Sequence, residues 1–196
     1  FMASQREPRD QLAHARRRTR ALLDAVTRHR AQLAFVSSFT TLPRPDSALA
    51  TMESRWRQGM YPYFRVKRLM EAMVLDAARH GVPAVVVNPA AFLGPWQHSA
   101  KRSSFVRMVL AEQLPAVMHH VINVIDVRDV AAGVHAALAA RRYGVQIPLA
   151  GHNVAVDELA RRISVIGRVH PPAISIDARV TAVAAFWVEA ALALTG

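Results

Sequence analysis

The chain has 196 residues, of which 52% are hydrophobic and 20% charged, with a formal net charge of +11 and no cysteine. This composition excludes a disordered chain, and the length suits a single domain with one substantial core. Without cysteine the chain can form neither disulfides nor a catalytic thiolate.

The basic charge permits an acidic partner such as a nucleic acid. The positive charge comes almost entirely from arginine side chains that are spread along the chain. We interpret the arginine cluster at residues 16–20 as a solvated helix face rather than a nucleic-acid site. The first ten residues are polar and lack the apolar region of a signal peptide. The apolar segment 180–195 contains Glu189 and is shorter than the ~20 residues of a membrane span. The sequence therefore predicts a cytoplasmic protein with no membrane partner.

Predicted helices and strands alternate along the chain. The hydrophobic spacing predicts helices at 11–29, 62–80, 103–114, 126 or 129 to 142, 156–166 and 178–194, and strands at 31–36, 82–89, 121–125 and 145–149. Loops are predicted at 1–10, 40–58 and 90–96. Alternating helices and strands, with a continuous run of β-branched residues in 82–89, favour an α/β fold built on a mainly parallel sheet.

One helix carries a tyrosine and a lysine four residues apart. Pro62 marks the start of this helix, so Tyr63 and Lys67 share a face one turn apart. A nearby ammonium favours the ionised phenol, and such a tyrosine can exchange a proton with an alcohol or a carbonyl. The alternative is that Tyr63 packs and Lys67 is a solvated charge. Lys67 is one of two lysines among 25 basic side chains, which favours a role that needs a compact ammonium.

Three polar residues are expected at one edge of the predicted sheet. Ser38 follows the first strand, Asn88 ends the second, and Tyr63 begins the helix between them. Ligands of such sheets bind beyond the carboxyl ends of the strands. This edge is therefore the candidate site.

Four segments resemble the extended short-chain dehydrogenase/reductase superfamily. They read Phe-Val-Ser-Ser at 35–38, Tyr-Phe-Arg-Val-Lys at 63–67, Val-Val-Val-Asn-Pro-Ala-Ala-Phe-Leu-Gly-Pro at 85–95, and Asn-Val-Ile-Asp-Val-Arg-Asp-Val-Ala at 123–131. The resemblance covers about residues 15–170. The residue pattern at 87–95 resembles the dihydroflavonol-reductase and 3β-hydroxysteroid-dehydrogenase branches more closely than the nucleotide-sugar epimerases.

The resemblance implies a partial Rossmann-like fold, doubly wound, with a small C-terminal substrate-side portion. Residues 1–196 would form one domain, with about 1–90 belonging to the dinucleotide-binding sheet and about 91–196 supplying substrate-side segments and C-terminal helices. The implied activity is hydride transfer between NAD or NADP and a small hydroxyl or carbonyl compound.

The resemblance also implies roles for individual residues. Tyr63 would be the general acid/base, Ser38 would bind the reacting oxygen, and Lys67 would lower the pKa of Tyr63 and bind the nicotinamide ribose. The remaining implied contacts are Asn88, Pro89, Ala90 and Ala91 with the cofactor, and Phe39, Thr40 and Trp96 with the substrate.

The sequence departs from the superfamily pattern in its glycines. None of the eight glycines is three residues from another, so no Gly-x-x-Gly-x-x-Gly turn is available to cradle a pyrophosphate. The residue that selects NAD or NADP is also missing, and residues 1–4 look like the end of the superfamily's fourth strand. We therefore expect a truncated enzyme that binds cofactor weakly or not at all. A truncated sheet would also expose a strand edge, through which copies of the chain could associate as a homo-oligomer.

Other functions stay open at this point. The same fold could serve as a non-catalytic binding or regulatory module, or as a nucleotide-sugar epimerase or dehydratase, and nucleic-acid binding by arginine patches is a smaller alternative. The nine histidines lack the spacing of a metal site, and no Gly-x-Ser-x-Gly elbow indicates a hydrolase.

Overall fold

The computed structural model describes residues 8–42, 62–95 and 104–177. Its helices are α1 (Pro8–Arg28), α2 (Pro62–Arg79), α3 (Phe105–Leu110), α4 (Val127–Ala139) and α5 (Val156–Gly167). Its strands are β1 (Leu33–Val36), β2 (Ala84–Pro89), β3 (Ala91–Leu93), β4 (Ala116–His119), β5 (Val121–Asp126), β6 (Gln146–Leu149), β7 (His152–Ala155) and β8 (Ile174–Asp177). A short 3-10 helix spans Phe39–Thr41.

The described parts of the chain divide into two compact units. The first comprises residues up to 94 together with 125–151, and the second comprises residues 95–124 together with those from 152 onward. The expectation of one domain divided near residue 90 stays a prediction.

The first unit is built on a parallel sheet with the strand order β1-β2-β6. All six residues of the central strand β2 are buried. On one face Val86 packs with Phe35 and with Val74 of α2, and on the other Val85 and Val87 pack with Ala137 of α4. Helices thus cover both faces, which explains the continuous valine run, because a strand buried on both sides carries apolar residues on both faces. The predicted α/β class is confirmed.

The topology brings the predicted site residues to one end of this sheet. In the parallel register Val36 of β1 is opposite Val87 of β2, so both strands end at the same edge. Ser38 follows β1 and Asn88 lies near the end of β2. Helix α2, which starts at Pro62 as predicted, connects back to β2 through Gly81, whose φ of +95° has the left-handed sign expected of a helix-ending glycine.

The second unit contains two strand pairs and two helices. Strands β4 and β8 are parallel, whereas β5 and β7 are antiparallel with Val121 opposite Ala155. Its core contains Val109 of α3, Val117 of β4, and Val156 and Ala160 of α5.

Several predicted elements were wrong. The loop predicted at 90–96 contains strand β3, and the helix predicted at 103–114 spans only Phe105–Leu110. That helix ends early because Glu112 has a left-handed backbone with φ of +53°, which an α-helix cannot continue. Strands β4, β7 and β8 were not predicted. The tail helix predicted at 178–194 lies outside the described residues.

No described helix is long and apolar enough to cross a membrane. Within the same residues, no three histidine or acidic side chains are grouped so that they could hold a metal ion.

Candidate active site

A cavity of about 500 Å³ lies in the first unit at the edge where β1 and β2 end. It is lined by Ser37, Ser38, Phe39, Thr40, Tyr63, Phe64, Pro89, Ala90, Ala91 and Phe92. A cavity of this volume suits a small organic ligand. The structure therefore brings Ser38 and Tyr63 to one cavity, and no described residue of its lining is charged.

Ser38 is held at the cavity by the turn that follows β1. The side-chain oxygen of Ser38 caps the 3-10 helix and accepts hydrogen bonds from the backbone N–H of Thr40 at 3.3 Å and from its hydroxyl at 3.0 Å. Both bonds use the Ser38 oxygen as acceptor. The Ser38 hydroxyl proton is therefore not used in either bond and is available to an acceptor in the cavity.

Tyr63 reaches the cavity from the first turn of α2. Its ring packs edge-to-face against Phe64, with 5.6 Å between the ring centroids, and 36% of the residue is exposed. Pro62 fits this first turn because the missing N–H has no partner to lose there. The Tyr63 phenol therefore lies at the start of α2, a position that Pro62 specifies.

Lys67 lies one turn along α2 from Tyr63 but is not among the lining residues. Its Nζ donates a hydrogen bond of 3.1 Å to the carbonyl oxygen of Val36 and lies 5.7 Å from the centroid of the Phe35 ring. Burial lowers the pKa of Lys67, and the negative charge of Glu71 partly opposes that change. The ammonium is therefore held at the end of β1, the strand that leads to Ser38.

Asn88 lies behind the cavity wall rather than in it. Only 1% of Asn88 is exposed, and its Nδ2 lies 3.2 Å from the carbonyl oxygen of Ser38 and 2.9 Å from the hydroxyl of Thr41. The three residues that follow it, Pro89, Ala90 and Ala91, do line the cavity. Asn88 thus holds the Ser38 backbone, and the next residues face the space where a ligand would lie.

The sequence analysis missed Glu71, which is 5% exposed. Its carboxylate accepts hydrogen bonds from Thr41, Asn88 and Gln146. The available signal was an acidic residue in the apolar stretch 69–75, one turn after Lys67. Phe64 and Phe92 of the cavity lining were also missed, and Trp96 lies outside the described residues.

Known proteins share both sequence and fold with this chain. A stretch of 72 residues is 39% identical to a Synechocystis sp. protein named "Putative dihydroflavonol 4-reductase", and it covers 36% of this chain and 21% of that protein. The structure is similar to that of a nucleoside-diphosphate-sugar epimerase from Pseudomonas aeruginosa, with a TM-score of 0.76 and 21% identity over 92% of this chain and 61% of that one. It is also similar to a dTDP-glucose 4,6-dehydratase from Bacillus anthracis in complex with NAD, with a TM-score of 0.62 and 16% identity over 81% of this chain and 54% of that one.

These structural likenesses show a Rossmann-like fold. The chain spans at most about three fifths of the length of these solved structures and about a fifth of the Synechocystis protein. The sequence model of the NAD dependent epimerase/dehydratase family matches residues 2–149 of this chain. The chain therefore belongs to the NAD-dependent epimerase/dehydratase family, within the extended short-chain dehydrogenase/reductase superfamily.

Proposed function

We propose that this chain carries the proton-transfer site of an NAD(P)-dependent oxidoreductase that acts on a small hydroxyl or carbonyl compound. One observation supports the proposal most strongly: Ser38 and Tyr63 line the same cavity although they come from different elements. Lys67 supports it further, because its ammonium is fixed one turn behind Tyr63.

Each of these residues has a distinct part in the proposed reduction of a carbonyl. Ser38 donates its hydroxyl proton in a hydrogen bond to the carbonyl oxygen and so orients the substrate. Tyr63 transfers its phenolic proton to that oxygen as the carbon receives a hydride. The Lys67 ammonium stabilises the negative charge left on the phenol oxygen. In the oxidation of an alcohol, Tyr63 takes the proton back.

The residues present fit the nicotinamide end of the cofactor. Pro89, Ala90 and Ala91 form a wall of small side chains, which leaves room for a flat ring against the backbone. An ammonium has three N–H donors, and the Val36 carbonyl takes one, so Lys67 retains donors for ribose hydroxyls. When bound, the nicotinamide supplies or accepts the hydride. The pyrophosphate end has no Gly-x-x-Gly-x-x-Gly turn in the sequence to hold it.

The lining of the cavity supports an apolar carbonyl substrate. Three phenylalanines, Phe39, Phe64 and Phe92, and no charged group, are among the described lining residues. A nucleotide-sugar substrate carries a diphosphate that is usually bound by cationic side chains. Nucleotide-sugar epimerisation or dehydration is the second candidate, favoured by the likeness to the Pseudomonas and Bacillus structures.

A substrate panel tests the proposal. The unaltered chain, Ser38→Ala and Ser104→Ala would be assayed with NADH and NADPH against apolar aldehydes and ketones and against nucleotide sugars. Ser104 is the control because its side chain makes no capping hydrogen bond. We expect Ser38→Ala to lower kcat about 10²-fold, the effect of removing a donor to the reacting oxygen, and Ser104→Ala to leave it unchanged. Full activity in Ser38→Ala would contradict the proposal, and turnover of nucleotide sugars alone would favour the second candidate.

A further inference from the structure

We propose that Glu71 is a positioning residue of this site, whose buried carboxylate fixes the Ser38 turn (residues 37–42) relative to the helix that carries Tyr63. The hydrogen bonds that support this are independent of the reaction. The catalytic consequence rests on the function proposed above.

Glu71 is a buried carboxylate whose donors, among the described residues, are all neutral. Its Oε2 accepts from the Thr41 hydroxyl at 2.6 Å and from Asn88 Nδ2 at 2.9 Å, and its Oε1 accepts from Gln146 Nε2 at 2.5 Å. Bonds of this kind, between a neutral donor and an ionised oxygen, are shorter and stronger than those between neutral groups. Burying a carboxylate is costly, so three such donors mark a site at which this geometry is strongly specified.

Two of these donors connect Glu71 to the backbone of Ser38. The carbonyl oxygen of Ser38 lies 2.7 Å from the Thr41 hydroxyl and 3.2 Å from Asn88 Nδ2. When the Thr41 hydroxyl proton and one Asn88 amide proton go to Glu71, the second amide proton of Asn88 is shared between the Ser38 carbonyl and the Thr41 oxygen. The position of the Ser38 turn is therefore set by the same two side chains that Glu71 orients.

The carboxylate also joins the elements that must stay in register for the reaction. Glu71 lies two turns after Tyr63 and one turn after Lys67 on α2, Asn88 is on β2, and Gln146 is on β6. A single side chain thus joins the tyrosine-bearing helix to the turn after β1 and to both of the other strands of the sheet. Displacing it would change the distance between Ser38 and Tyr63, and proton transfer is sensitive to shifts of about 1 Å.

Glutamine does not reproduce the hydrogen bonding of this carboxylate. A glutamine of nearly the same size presents one oxygen and one NH₂ group, whereas the site presents donors to both Glu71 oxygens. With its NH₂ toward Asn88 and Thr41, the glutamine faces their donors, and with its NH₂ toward Gln146, a hydrogen bond forms only after the Gln146 amide turns over. Glu71→Gln therefore changes the hydrogen bonding with little change in volume. Asp76→Asn is the matched control, because Asp76 is an exposed acidic residue on the same helix.

Hydrogen exchange of the intact 196-residue chain tests the proposal without requiring turnover. The amide of Thr41 donates to Ser38 and that of Leu42 to Phe39, so a peptide covering 37–42 reports the turn. We expect exchange there to be about tenfold faster in Glu71→Gln and in Thr41→Val, and unchanged in Asp76→Asn and Thr41→Ser. If Glu71→Gln does not fold, Thr41→Val decides. Unchanged exchange in residues 37–42 of the folded variants would overturn the proposal.

A double-mutant cycle tests the catalytic consequence. If Glu71 acts through Ser38, Glu71→Gln lowers kcat about tenfold in the unaltered chain but less than about twofold when Ser38→Ala is already present. Equal losses in both backgrounds would overturn the positioning role. If no carbonyl compound is turned over, the proposed function fails, and the exchange experiment alone decides whether Glu71 fixes the turn.

Discussion

The ammonium of Lys67 donates a hydrogen bond of 3.1 Å to the carbonyl oxygen of Val36, the last residue of β1. Lys67 belongs to the helix that carries Tyr63, and Val36 precedes the turn that carries Ser38. The bond therefore joins the two elements that supply the proposed proton-transfer groups. It also keeps a charged group half-buried beside the Phe35 ring, so we expect function rather than stability to require the lysine.

Lys67→Met should separate catalysis from stability. Burial lowers the pKa of Lys67, so between its folded value and the ordinary 10.5 the unfolded chain binds more protons. Stability of the unaltered chain should then rise with pH across that window, and the Met variant should lack this rise. At neutral pH we expect turnover to fall at least tenfold while the urea midpoint stays the same or increases. A large loss of stability with turnover retained would contradict this account.

Asp126 predicts a pH dependence of the same sign, but in the acidic range. The side chain of Asp126 accepts from the backbone N–H of Arg128 at 2.8 Å and pairs with its guanidinium, and these bonds lower the pKa of Asp126 from 3.8 to about 2. A lowered carboxylate pKa stabilises the fold above 3.8, and this stabilisation is lost as the pH falls toward 2. Asp126→Asn keeps a helix cap but loses the charge.

Urea unfolding of the unaltered chain and of Asp126→Asn measures the contribution of the Asp126 charge to stability. The unaltered chain should have the higher urea midpoint at about pH 6, and the difference should shrink as the pH is lowered through the window from 3.8 to about 2. A difference that is the same at both ends of the window would mean that the Asp126 charge does not contribute.

Cofactor affinity should be low in this chain. Pro89, Ala90 and Ala91 form the proposed wall for the nicotinamide, but the sequence has no glycine turn that would present backbone N–H groups to a pyrophosphate. We expect NADH and NADPH titrations, followed by their fluorescence, to give dissociation constants above roughly 100 μM. Binding in the low micromolar range would show that other residues of the chain hold the pyrophosphate.

The parts of the fold that local sequence specifies could be predicted. Pro62 placed the start of α2, the valine run placed β2, and Asp126 was one of two predicted caps, now shown to accept from Arg128. Strand β8 could not be predicted, because its partner β4 lies more than fifty residues earlier and neither strand has a continuous apolar pattern.

The Glu71 network was missed for a related reason. Its partners are 17, 30 and 75 residues away in sequence, in Asn88, Thr41 and Gln146. No local period connects these positions, and only the folded sheet brings them together. The convergence of Ser38 and Tyr63 was predictable because the carboxyl ends of parallel strands meet at one edge. The catalytic roles of Ser38, Tyr63 and Lys67 stay predictions.

The most direct test of the central claim is the rate of carbonyl reduction by Tyr63→Phe at millimolar NADH or NADPH. Tyr143→Phe is the matched control, because Tyr143 lies in the turn before β6 and outside the cavity lining. We predict that Tyr63→Phe lowers the rate by about 10²–10⁴-fold, the usual contribution of a positioned proton donor, and that Tyr143→Phe leaves it unchanged. Equal rates in Tyr63→Phe and the unaltered chain, or no reduction of any carbonyl by the unaltered chain, would contradict the claim.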